Sequence, residues 1–75
     1  VMEEEVFAEG DRVEYYPVGA AMQTSVGILK RIITEPEQVG IQKVKASEEV
    51  PRYVILNEHT HKETAYKKEN IIKKI

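Results

Sequence analysis

The stretch from Pro51 to Tyr66, PRYVILNEHTHKETAY, sets the tightest limit on what this chain can fold into. Tyr53, Val54, Ile55 and Leu56 form an apolar run rich in β-branched and aromatic side chains, the types that fit a pleated surface. Asn57 to Lys62 is polar and turn-prone, and Glu63, Thr64, Ala65 and Tyr66 offer a returning strand. The spacing predicts a β-hairpin with residues 53–56 antiparallel to 63–66. Because side chains alternate along a strand, Tyr53 and Ile55 face one way and Val54 and Leu56 the other, so both faces of the first strand are apolar. A barrel strand ordinarily needs only one buried face. Something must therefore cover the second: Phe7 with Val6, the 39–45 segment, or another protein chain. Cover from the chain itself is the expectation.

The flanking segments read as more strands. Gly10 and Asp11 signal a turn, and residues 11–17, DRVEYYP, alternate with Val13 and Tyr15 inward. Pro17 lacks a ladder donor and marks the end of that strand or an edge position. Residues 18–23 have loop composition. Residues 24–34, TSVGILKRIIT, form a β-branched strand in which Gly27 suggests a bulge or tight bend and Ile28 is the chosen core residue. Ile32 and Ile33 are adjacent, so one points outward or the strand kinks. After the break at residues 35–37, residues 39–45 read as a strand anchored by Ile41 or, equally, as a loop. Residues 46–49 resemble a helix start, but Pro51 follows too closely for more than a turn. At the end, residues 67–70 suit one 3₁₀ turn before a short apolar strand containing Ile71, Ile72 and Ile75. Short strands at intervals of about ten residues, with no sustained helical period, predict a small all-β barrel or sandwich.

Size and composition narrow the function classes. At 75 residues the chain is one domain with a small core. Residues 1–9 are read as a flexible acidic segment on which Phe7 docks, and residues 10–75 as the single folded domain. The absence of cysteine excludes a disulfide framework and suits a reducing compartment, so an intracellular location, cytoplasmic or nuclear, is expected. No apolar run approaches the ~20 residues that cross a bilayer, no signal-peptide pattern opens the chain, and no membrane role is expected. The 13 acidic and 11 basic residues leave a slight negative balance. Glu3, Glu4, Glu5 and Glu9 crowd the start and Lys67, Lys68, Lys73 and Lys74 the end. Two solvated ends are the simpler reading, with the acidic start lying over the basic finish as the alternative.

GDRVEYYPVG, TSVGIL and ASEEVPRYVILNEHTHKETAYKKENI together resemble the hypervirulence-associated protein TUDOR domain family across residues 10–72. The last block carries most of the likeness. The resemblance implies a small SH3-like, Tudor-type barrel of about five antiparallel strands, an all-β class at which the strand reading arrives separately. Two positions depart from the family pattern. His61 stands in the hairpin turn where relatives often have glycine, and Val50 stands before the proline where an acidic residue is usual.

The remaining constellations compete with ordinary packing and solvation. A cage for a methylated ammonium needs three or four converging rings, which would use nearly all of Phe7, Tyr15, Tyr16, Tyr53 and Tyr66; barrel packing is the favoured reading of these rings. His59 and His61 lie two apart beside Glu58 and Glu63, yet two imidazoles are half of a zinc shell, and they read as exposed turn residues. Lys30, Arg31, Lys43, Lys45, Arg52 and the terminal lysines could contact nucleic acid with Tyr16 as a stacking platform, but acidic residues interrupt them. No nucleophile elbow, phosphate loop or cysteine suggests catalysis, and no cofactor or metal is expected. The expectation is a non-enzymatic module that binds a protein partner, as a monomer or weak homodimer, through Tyr16, Tyr53 and Arg52 beside the 18–24 loop. Nucleic-acid binding is the alternative.

Overall fold

The computed structural model describes residues 7–17 and 23–75. Among the described residues seven strands follow in chain order: β1 Arg12–Tyr15, β2 Ser25–Ile33, β3 Glu37–Val39, β4 Gln42–Val44, β5 Arg52–Asn57, β6 Glu63–Lys67 and β7 Ile71–Lys74. A 3₁₀ turn at Lys68–Asn70 separates the last two, as the sequence predicts. Five strands form one antiparallel sheet in the order β6-β5-β2-β1-β7, and β3 pairs with β4 alone. The final strand returns to pair with the first, which curls the meander into the expected small SH3-like barrel. The loop expected over residues 18–23 falls mostly outside the described residues, as do Val6, Glu3, Glu4 and Glu5.

The β5–β6 ribbon forms in the register that its alternation implies, with Tyr53 opposite Tyr66 and Val54 opposite Ala65. Its turn is organised by Asn57. The Asn57 side-chain oxygen accepts hydrogen bonds from the backbone amides of His59 at 2.8 Å and Thr60 at 2.9 Å, while its amide nitrogen donates to the Tyr15 hydroxyl at 2.8 Å. One side chain therefore closes the turn and ties it to β1. Burial pushes the Tyr15 hydroxyl pKa above its ordinary value, and the hydrogen bond from Asn57 opposes part of that rise. His61 adopts φ 59, so the turn keeps the left-handed geometry that glycine would occupy most freely.

Two apolar clusters lie on the two faces of β5. The inner one holds Val13, Tyr15, Leu29 and Ile55 with Phe7, Tyr53, Tyr66 and Ile71 around them. The outer one holds Ile33, Val39, Val44, Ala46, Val54 and Ala65. Of the covers expected for the second face, the segment containing residues 39–45 is the one in place, lying over Val54, whereas Phe7 packs against Tyr53 on the inner side and Val6 falls outside the described residues. Fully burying an aliphatic side chain of this size is worth about 1.5–3 kcal/mol, so the outer layer contributes substantially to so small a domain.

β2 differs from the sequence reading in two respects. Its irregularity lies between Leu29 and Arg31, not at Gly27: Leu29 pairs with Ile55 and Arg31 with Val54, leaving Lys30 as the extra residue. An extra residue inverts the alternation that follows it. Leu29 therefore points into the inner cluster, whereas Ile33, four residues later, points into the outer one. This resolves the Ile32 and Ile33 pair, with Ile33 buried and Ile32 partly exposed opposite Tyr53. Ile28, the expected core residue, is only half-buried, because it pairs with Leu56 on the other face while Leu29 is fully enclosed. Gly27 permits close approach instead of a bulge. A Cβ there would lie 2.5 Å from both the Ile55 Cγ2 and the Leu56 carbonyl oxygen, so its bareness lets β5 come near.

The 39–45 segment is also corrected. It is part of a hairpin, with Val39 paired to Gln42 across a two-residue turn in which Gly40 takes φ 59. Ile41 sits at the tip, fully exposed, and anchors nothing; Val39 and Val44 fill that role. The hairpin also guards the sheet margin, because the Gln42 side-chain oxygen accepts the backbone amide of Ala65 on edge strand β6 at 3.2 Å.

Candidate functional site

A groove of about 720 Å³ opens beside the inner cluster. Three separate stretches wall it: Val50 and Pro51 leading into β5, Lys67 to Glu69 at the end of β6 and in the 3₁₀ turn, and Ile71 with Ile72 of β7. Phe7 and Tyr53 complete the lining, their rings meeting edge to face with centroids 6.2 Å apart at 84°. The walls are mainly apolar, and the charges among them balance, Lys67 and Lys68 against Glu49 and Glu69.

Each element reaches the groove for a local reason. Pro51 cannot donate a backbone hydrogen bond, which suits the position just before a strand. The preceding bend is closed by Ser47, whose hydroxyl accepts from the Val50 amide at 3.0 Å while its own amide donates to the Val50 carbonyl at 3.2 Å. Val50 is left half exposed at the groove mouth. The 3₁₀ turn is fastened to the end of β1, since the Tyr16 amide donates to the Asn70 carbonyl at 2.9 Å and the Asn70 side-chain amide donates to the Tyr16 carbonyl at 3.2 Å.

Of the three residues expected to bind a partner, Tyr53 lies in the groove, 9% exposed and also part of the core. Tyr16 stands outside the lining, 39% exposed, and is joined to it through the 3₁₀ turn. Arg52 precedes Tyr53 on the same strand, so alternation turns it to the opposite face of β5. The structure therefore brings Tyr53 to the groove, sets Tyr16 beside its 3₁₀ wall and turns Arg52 to the other face of β5. Sequence reasoning missed Val50, Pro51, Ile71 and Ile72 as groove walls, because residues about twenty apart meet there only after the barrel closes.

The aromatic residues divide into pairs. Tyr15 and Tyr66 pack with centroids 5.0 Å apart at 51°, Phe7 pairs with Tyr53, and all four rings lie within the inner cluster. His59 and His61 sit exposed in the β5–β6 turn.

Charged side chains at the surface are widely matched. The Arg12 guanidinium grips the Glu58 carboxylate with two hydrogen bonds, at 2.5 and 3.1 Å, which lowers the Glu58 pKa below its ordinary value and raises that of Arg12. Arg31 pairs with Glu37. Lys73 lies 4.0 Å from Glu14 and Lys74 3.5 Å from Asp11, so these two lysines sit beside carboxylates on and just before β1, while Glu3, Glu4 and Glu5 of the acidic start fall outside the described residues.

An all-β barrel of this size, with a mainly apolar groove beside its closing strand, places the chain among small Tudor-type domains. The chain belongs to the family of hypervirulence associated proteins TUDOR domain, whose model matches residues 10–71. It is also similar to the putative primary metabolism protein prl65 of Schizosaccharomyces pombe, at 36% identity over 67 residues, which cover 87% of this chain and 88% of that protein. No solved structure gives a significant match. Among the described residues, no helix is long and apolar enough to cross a membrane.

Proposed function

We propose that this domain is a non-enzymatic interaction module that binds a segment of a protein partner in the groove between Tyr53 and Ile72, with Tyr16 at its flank. The observation that carries the reading is the composition of the walls: Phe7, Val50, Pro51, Tyr53, Ile71 and Ile72 offer apolar and aromatic surface, and the charges beside them cancel. Interfaces concentrate their energy in such aromatic and aliphatic centres with polar rims. A polyanionic partner is disfavoured, because Arg12, Arg31, Lys73 and Lys74 already meet carboxylates and the chain is slightly negative. Membership of a Tudor family supports a binding role and leaves the partner open.

The test uses a crosslinking capture from the native cell extract. Tyr16→Ala and Ile72→Asp alter side chains that are each 39% exposed, so the fold is expected to survive both. Specific captured proteins should weaken with either variant and persist with Ile41→Ala at the hairpin tip. Equal capture by all forms removes the groove as the binding surface. A gel shift with DNA or RNA that fades steeply between two salt concentrations transfers the assignment to nucleic acid.

A further inference from the structure

The sheet register sets Arg52 of β5 directly opposite Lys67 of β6. Residues opposed in an antiparallel pair share a face, with Cβ atoms about 4.5–5.5 Å apart, and two like charges so placed destabilise the pair. Arg52 is half-buried, and its Nη1 is closed off from solvent with no hydrogen-bond acceptor among the described residues. A guanidinium N–H enclosed without an acceptor loses its hydration uncompensated. A carboxylate between the two cations offsets the like-charge opposition, and a turn of the guanidinium toward it frees Nη1 from its unpartnered enclosure. Lys67 also lines the groove, whereas Arg52 lies on the face of β5 turned away from Tyr53, so Lys67 is the link between the groove and this position.

We propose that Arg52 and Lys67 form a subsite for a single carboxylate of the protein segment bound in the groove. The assignment of a partner rests on the reading given above; the anion site itself does not require that partner. The guanidinium fork matches a carboxylate in a planar, two-bonded arrangement, and the lysine ammonium supplies a second donor. A carboxylate is favoured over a nucleic-acid phosphate chain because Glu49 and Glu69 border the same groove and would repel an extended polyanion. The segment recognised is therefore largely apolar, with one acidic side chain or its terminal carboxylate reaching past Lys67 onto the Arg52 face of the paired β5–β6 ribbon.

The probe is N-acetylglutamate, titrated against sodium chloride at constant ionic strength and followed by nitrogen-proton NMR, including the Arg52 side-chain Nε–H. Saturable shifts are expected at Arg52 and Lys67. Arg52→Gln should weaken the binding roughly tenfold, and Lys67→Gln by a smaller factor. Arg52→Lys, which keeps the charge and loses the fork, should fall between wild type and Arg52→Gln. Linear shifts no larger at Arg52 than at exposed Lys45 or Lys62 overturn the subsite, and so does equal binding to Arg52→Gln. Saturable binding only to a short DNA duplex assigns the cations to phosphate and also overturns the proposal. Saturation by the probe together with unchanged capture by Tyr16→Ala and Ile72→Asp separates the two readings, leaving the anion site and removing the groove.

Discussion

Single residues hold the β5–β6 turn in shape, and the clearest case is His61. Its φ of 59 belongs to the left-handed region, where a Cβ is strained and glycine is not. Imidazole tolerates that region better than a β-branched side chain does, so the domain keeps the turn at a moderate cost. His61→Gly should stabilise the domain by about 0.5–1 kcal/mol, the left-handed strain relieved less the extra freedom of glycine in the unfolded chain. Urea unfolding measures it: the midpoint should rise with the slope unchanged. A lower midpoint for the glycine variant would mean that His61 contributes a contact larger than its strain. Asn57 shows the complementary case, because its three hydrogen bonds are local on one side and reach Tyr15 on the other. The local bonds match the ordinary habit of asparagine in turns, whereas the link to Tyr15, 42 positions away, has no signature in the sequence.

At the scale of elements, β2 and β5 approach closely at Gly27. A methyl group there would sit 2.5 Å from a backbone oxygen, which cannot rotate away as a flexible side chain could. Gly27→Ala should therefore force the two strands apart and destabilise the domain by about 2 kcal/mol or more. Thermal unfolding followed by circular dichroism reads this directly, and a change within ~0.5 kcal/mol would show that the sheet yields there without strain. The same elements show why some of the fold was legible in the sequence and some was not. The β5–β6 ribbon announces itself through a compact apolar run, a polar turn and a return strand, all local signals. The face exchange at Lys30 has no local signal, since it is set by how Leu29 and Ile33 fit two different clusters. Ile28 misleads because a β-branched residue beside a glycine looks central until the pairing decides its face. Ile41 misleads because its apolarity suggests an anchor while Gly40, next to it, turns the chain. Of the candidate site, Tyr53 was legible as a strand aromatic, but the walls from residues 50–51 and 71–72 depend on closure of the whole sheet.

For the whole molecule, stability should vary with pH through two groups that link distant parts of the chain. The Glu58 pKa is lowered by its hydrogen bonds with Arg12, which join the turn after β5 to the start of β1. A carboxylate whose folded pKa is depressed contributes stability that is present above its unfolded value, about 4.3, and is lost as pH falls through the lower folded value. The Tyr15 pKa is raised by burial, so the folded state holds that proton longer than the unfolded chain does. Its contribution is complete below about 10, the unfolded value, and declines as pH rises toward the folded one. The expected profile is a plateau with an acid limb that Arg12→Ala makes shallower and an alkaline limb that Tyr15→Phe makes shallower. Denaturation midpoints across pH measure both, and limbs unchanged in these variants would assign them to other groups. Because both members of the Arg12 and Glu58 pair are exposed, the acid limb should also shrink in high salt.

The supernumerary Lys30 gives a single ribbon of chain two allegiances, its first half to the barrel interior and its second half to the layer outside. Removing that one position would restore simple alternation and swing Ile33 away from Val54, so the outer hairpin would lose its seat while the interior stayed filled.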